Sequence, residues 1–168
     1  LEPSRDFAHA SDLVAYIREH KPDMKVFAAC YPEGHIQSAS LDEDIAHLKT
    51  KVDAGATHLI SQLFYDNEDF YRFLGKARAA GIDVPIEAGI MPVAGAKSTR
   101  SMAERNRTRI PRAVESMLER WGDDVPTLRA AGINYACEQI TDLVANGVDG
   151  VHLYTMNRPA STRRIWRN

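Results

Sequence analysis

A chain of 168 residues is long enough for one domain with a real core. Hydrophobic content of 44% with 26% charged residues is that of a soluble globular chain, and a formal charge of −2 argues against bulk attraction to nucleic acid or an anionic membrane. No apolar run approaches the roughly 18 residues of a membrane span.

The amino terminus carries no basic-then-apolar leader. Cys30 and Cys137 each fall in an apolar pattern without metal-ligand spacing, as buried thiols of a reducing cytoplasm do, so a cytoplasmic chain with no metal site is expected. Leu1 to Arg5 reads as the middle of a loop, as in a fragment or processed chain.

In chain order, Ser11 caps a helix carrying Leu13, Val14 and Ile17 that ends near His20. A first strand spans about 25–31, apolar as a strand buried on both faces is. A capping box, Ser40-Leu-Asp-Glu43, then opens a helix over 41–54, stopped by Gly55. Its apolar stripe is Leu41, Ile45, Leu48 and Val52, and Asp44, His47 and Lys51 share another face.

A second strand covers 58–65, followed by a helix opened by Asp66 or Asn67 with Phe70, Phe73, Leu74 and Ala77 on one stripe. A third strand covers 84–91, tolerating Pro85 near its start. A short helix near 98–106, a helix with Pro111 in its first turn and a long helix from Leu128 to Val144 lead to a fourth strand over 150–156. A last helix starts near Ser161.

Strand and helix alternate, with crossovers long enough to make neighbouring strands parallel. Four strands are too few for a closed eight-stranded barrel, which takes about 250 residues, so the pattern fits either a small open α/β sheet or half a barrel. In both, ligands bind at the carboxyl ends of the strands. Those ends carry Tyr31 and Glu33, then Gln62 and Asp66, then Met91-Pro92, then Thr155, Asn157 and Arg158. Gln62 interrupts an apolar strand and needs partners for its amide. Arg158 is suited to a carboxylate.

Several chemistries are excluded by pattern. No glycine-rich dinucleotide fingerprint, phosphate loop or nucleophile elbow is present, and no histidine pair has zinc spacing. No lysine ends a strand, which argues against Schiff-base chemistry, whereas Lys51 beside His47 suits a phosphate. The residues alone lead to an α/β ligand-binding domain, with a phosphorylated cofactor as one option.

The stretches Ala28 to His35 (AACYPEGH), Leu48 to Ala56 (LKTKVDAGA), Ser61 to Asp66 (SQLFYD), Gly89 to Pro92, Arg109 to Pro111 and Val151 to Arg158 (VHLYTMNR) follow one another in an order that resembles the methylenetetrahydrofolate reductase family. The resemblance spans nearly the whole chain. It implies a (β/α)8 TIM-type barrel of which this chain supplies about the last four strands, as a single partial domain over 1–168. It also implies FAD, NADH or NADPH as donor, and reduction of 5,10-methylenetetrahydrofolate to 5-methyltetrahydrofolate, a step of one-carbon metabolism that supplies methionine.

By the same resemblance, the flavin site maps onto Tyr31, His35, Ser38, Asp44, His47, Thr50 and Lys51. The folate site maps onto Gln62, Met102 and Arg158, with Met102 standing where family members can carry a stacking aromatic. Ser38, His47 and Thr50 depart from the family's residues. No catalytic residue maps onto this chain, because the family's proton-donating glutamate and flavin-tuning aspartate belong to earlier strands.

A half-barrel has open strand edges and wet apolar surface, so the resemblance implies pairing with the other half or homo-oligomerisation. The alternatives are a non-catalytic flavin- or folate-binding remnant and another flavin barrel resembling proline dehydrogenase. Gln62 and Arg158 argue against the latter.

Overall fold

The four apolar runs form one parallel sheet in sequential order, β1 (Phe27–Cys30), β2 (His58–Ser61), β3 (Ile86–Ile90) and β4 (Gly150–Leu153). The computed structural model describes residues 6–167, so the loop reading of residues 1–5 lies outside it. Seven helices accompany the strands among the described residues: α1 (Ala10–His20), α2 (Leu41–Asp53), α3 (Asn67–Ala79), α4 (Ala96–Asn106), α5 (Arg112–Trp121), α6 (Val125–Ala145) and α7 (Pro159–Trp166).

Alternation along the strands decides which side the helices cover. Cys30, Leu59, Ile86, Ala88 and Ile90 are buried and share one core with Ile45 and Leu48 of α2, Phe70 and Phe73 of α3, Ile133 and Leu143 of α6, and Ile165 of α7. The intervening residues point the other way. Phe27 stacks on His58 with ring centroids 4.5 Å apart, and His152 lies 3.7 Å from Glu87, all on a face with no helix over it. A second core sits beyond the carboxyl ends, where Val93, Ala103, Val114, Leu118 and Leu128 from α4, α5, α6 and their loops close over Leu63 and Tyr65. The region between β3 and β4 thus roofs part of the carboxyl edge.

The helix termini follow local chemistry, with corrections. Ser40 Oγ accepts the Glu43 N–H at 3.1 Å, but the Glu43 carboxylate reaches one residue further back, to the Ala39 N–H at 2.5 Å. Asp66 caps α3 by accepting from the Glu68 N–H. Ser11 is not a cap: α1 starts two residues earlier than a Ser11 cap would set, with His9 at the cap position and its N–H bonded to Asp12. Pro111 is the cap residue of α5 rather than part of its first turn.

The strands are shorter than the apolar runs. After Ser61 the Leu63 N–H turns to the Gln62 side chain instead of a neighbouring strand. Before Ile86, Pro85 has no N–H to give. After Tyr154 the chain enters left-handed backbone at Met156 and Asn157.

Candidate functional site

The carboxyl end of β1 hands over to a polar loop and then to α2, and the capped start of that helix aims its first turns back across the strand end. Tyr31 and His35 meet edge to face, with centroids 4.7 Å apart. Asp44, one turn into α2, is 8% exposed and accepts a hydrogen bond from Ser38 Oγ at 3.1 Å. Lys51 reaches from the far end of α2 to donate to the Ala29 carbonyl at 2.7 Å. That carbonyl points to the open edge of β1, since the next one, Cys30, accepts from Gln62 just past β2.

The charges are coupled. Burial lowers the Lys51 ammonium from its ordinary range while Asp44 opposes the shift. Burial, then Asp44, then the Cys30 thiol raise the Tyr31 phenol. Cys30, enclosed under α2, is pushed by burial up to about 12 and is inert as a nucleophile at neutral pH.

Five of the seven residues mapped to the flavin therefore form one constellation. The other two do not join it: His47 is exposed, and the Thr50 hydroxyl is used within the helix, donating to the Ala46 carbonyl at 3.1 Å. Asp44 corrects the reading of Asp44, His47 and Lys51 as one polar face, because the turn of α2 that bears it tucks against the loop.

The three residues mapped to folate are split between two places. Met102 on α4 and Arg158, the cap residue of α7, line a cavity of about 100 Å³ at the ends of β3 and β4, with Met91, Leu153, Tyr154 and Arg129. Arg129 brings a buried Nε with no hydrogen-bond partner among the described residues. Gln62 stands apart at the end of β2, its N–H donating to the Cys30 carbonyl at 2.7 Å and its Oε1 accepting the Leu63 N–H at 2.9 Å.

Two groups that the sequence reading left without a site role take part in the edge. Tyr154 links the halves of the edge, since its ring lines the cavity and its hydroxyl donates to the Ser61 carbonyl at 2.8 Å. Glu33 accepts the Arg109 N–H at 2.8 Å, while its other carboxylate oxygen is buried without a partner among the described residues. Burial is the main cause that lifts its carboxyl to about 7, with the Arg109 N–H opposing. The signal for Glu33 was its place in the YPEGH run. Arg129 lies in a long helix with nothing local to mark it.

An edge-to-face aromatic pair, a half-buried ammonium beside a carboxylate and an apolar cavity rimmed by arginine gather at the carboxyl edge of a parallel sheet, the edge at which α/β domains bind ligands. Comparison makes the class specific. The family described as methylenetetrahydrofolate reductase matches residues 1–168, and the chain belongs to that family.

It is 39% identical over 165 residues to methylenetetrahydrofolate reductase 1 of Schizosaccharomyces pombe, covering 98% of this chain and 27% of that protein. It is 39% identical over 150 residues to the 5,10-methylenetetrahydrofolate reductase of Escherichia coli, covering 89% of this chain and 50% of that one. The chain thus spans about half or less of the length of these relatives. Among solved structures, a Clostridium thermocellum protein described as binding two copies of 5-methyl-5,6,7,8-tetrahydrofolic acid superposes with a TM-score of 0.57 at 21% identity, over 86% of this chain and 50% of that one. That likeness speaks for the fold.

Proposed function

We propose that this chain forms the later half of a (β/α)8 barrel that reduces 5,10-methylenetetrahydrofolate to 5-methyltetrahydrofolate with NADH or NADPH, and that it carries most of the flavin site. The observation that carries the reading is the convergence of Tyr31, His35, Ser38, Asp44 and Lys51 at one strand end, in a chain of this family. Sequential strand order with the helices on one face supports the barrel, because a doubly wound sheet reverses its order and covers both faces.

These residues fit FAD by their chemistry. The half-buried Lys51 ammonium suits a pyrophosphate, and the edge-to-face Tyr31–His35 pair offers apolar ring surface with polar edges. FAD held there would supply hydride transfer between a nicotinamide and the folate. In this reading Asp44 holds the lysine charge in place. Gln62 offers its amide to the folate or nicotinamide, and Arg158 pairs with a folate carboxylate beside Met102. The acid that protonates the substrate comes from earlier strands, so turnover requires the other half of the barrel, which also covers the open edge of β1.

The test is the visible spectrum of this polypeptide, alone and as part of its full-length protein, titrated with FAD. The full-length protein is expected to hold one flavin, to be reduced by NADH or NADPH and to be reoxidised by methylenetetrahydrofolate. A full-length protein that ignores FAD overturns the proposal.

A further inference from the structure

We propose that Tyr154 is a positioning residue: by holding the Ser61 carbonyl across Gly89, it sets how Gln62 presents its amide at the end of β2. The inference rests on the reading of Gln62 as a folate contact. It begins with a defect in the sheet. β2 and β3 share only the pairs Leu59–Ile86 and Ile60–Glu87, whereas the flanking strand pairs each run for four. In a continued parallel ladder the Gly89 N–H would donate to the Ser61 carbonyl. It donates instead to Ser61 Oγ at 2.8 Å, and the carbonyl is taken by the Tyr154 hydroxyl, also at 2.8 Å.

The consequence falls on Gln62, because the Ser61 carbonyl and the Gln62 N–H belong to one rigid peptide plane. Tyr154 holds one end of that plane from just past β4, and the Cys30 carbonyl holds the other from β1 at 2.7 Å. Ser61 Oγ then donates to the Gln62 carbonyl at 3.0 Å, and Oε1 of Gln62 accepts from Leu63. With Oε1 occupied, the two Nε2 protons are the part of the amide left to donate to a ligand.

Gly89 makes the crossing feasible. A Cβ there would sit 2.1 Å from the Ser61 carbonyl oxygen and 2.8 Å from the Tyr154 ring. Ser61 is fully buried, so its carbonyl cannot turn to water if the hydroxyl is removed. The donor that a regular ladder would supply is the Gly89 N–H. Taking it would restore the ladder, release Ser61 Oγ and rotate the Ser61–Gln62 peptide. Tyr154 thereby prevents a regular strand from forming where Gln62 must face the site.

The experiment uses the full-length protein and isothermal titration with 5-methyltetrahydrofolate on the parent, Tyr154→Phe, Gln62→Ala and the double variant. Loss of one buried hydrogen bond predicts about fivefold weaker binding in Tyr154→Phe. The double variant is expected to bind no more weakly than Gln62→Ala alone. Parent-like binding in Tyr154→Phe, or losses that multiply in the double variant, would overturn the inference.

Hydrogen exchange separates this from the folate reading. The Gln62 amide should exchange at least about fivefold faster in Tyr154→Phe with that of Leu59 unchanged. Unchanged exchange at Gln62 overturns the positioning role whatever folate does. Parent-like folate binding in Gln62→Ala, with the exchange shift present, overturns the folate reading and with it any functional role for Tyr154.

Discussion

Glu33 and Arg109, 76 residues apart, are joined by a 2.8 Å hydrogen bond from the arginine's own N–H, while its guanidinium pairs with Asp66 at 2.6 Å and Asp69 at 2.8 Å. Arg72 pairs with the other oxygen of Asp69 at 2.6 Å. One residue of the α4–α5 loop therefore fastens the loops that follow β1 and β2, which carry Tyr31 and Gln62.

This clamp predicts a pH dependence. The Glu33 carboxyl is raised from 4.5 to about 7 in the folded chain, so between those values the folded state binds more protons than the unfolded one. Its contribution to stability is fully present below about 4.5 and is lost as pH rises towards 7. Glu33→Gln removes that dependence. Urea midpoints measured from pH 4.5 to 8 should show the parent losing ground to the variant up to about pH 7 and no further. Parallel curves would refute the assignment.

Asp44 is the group that keeps Lys51 charged against burial, and it also raises Tyr31. In Asp44→Asn the lysine pKa should fall further and the Tyr31 phenol should titrate at lower pH, read by ultraviolet difference titration. If the flavin site is as proposed, the FAD dissociation constant of the full-length protein should rise at least about tenfold, because a buried ammonium has lost its counter-charge. Unchanged FAD affinity would remove Asp44 from the site.

Two helical glycines predict opposite signs. A Cβ on Gly132 of α6 would lie 2.0 Å from the Val93 carbonyl oxygen, backbone that cannot swing aside, so Gly132→Ala should cost about 2–3 kcal/mol. Gly75 in α3 is exposed and has nothing within 4 Å of the added carbon, so Gly75→Ala should stabilise by about 0.5–1 kcal/mol. Denaturant melts of both decide whether α6 approaches the β3 end as closely as described.

Phe27 tests the barrel. Phe27 is 48% exposed and stacks on the half-buried His58, so Phe27→Ser in this polypeptide should cost under about 1 kcal/mol. In a closed barrel the same ring lines the filled interior, and the cost in the full-length protein should rise to about 3 kcal/mol. Equal costs in both would argue against closure over this face.

Much of the architecture was legible locally. Helix stripes such as Phe70–Phe73–Ala77 and Leu41–Ile45–Leu48, the caps at Ser40 and Asp66, and the apolar strands each depend on neighbours a few residues away, and their alternation implied a parallel sheet. The motif order likewise placed the chain in its family, and of the seven residues it mapped to a flavin, Tyr31, His35, Ser38, Asp44 and Lys51 gather at one strand end while His47 and Thr50 stay outside.

Other features depend on residues far apart in the chain, and only packing decides them. Burial turned Asp44 from a surface carboxylate into the partner of Ser38, because the start of α2 presses against the loop it caps. Folding separated Gln62 from Met102 and Arg158, which meet only where α4, α7 and the end of β4 enclose a cavity. The bonds from Glu33 to Arg109 and from Tyr154 to Ser61 span 76 and 93 residues. The periodicity of a single helix or strand reports which of its faces is buried, but not which distant group that face meets. Local patterns determined the elements and the family, and the tertiary fold decided which polar groups are fastened together at the carboxyl edge.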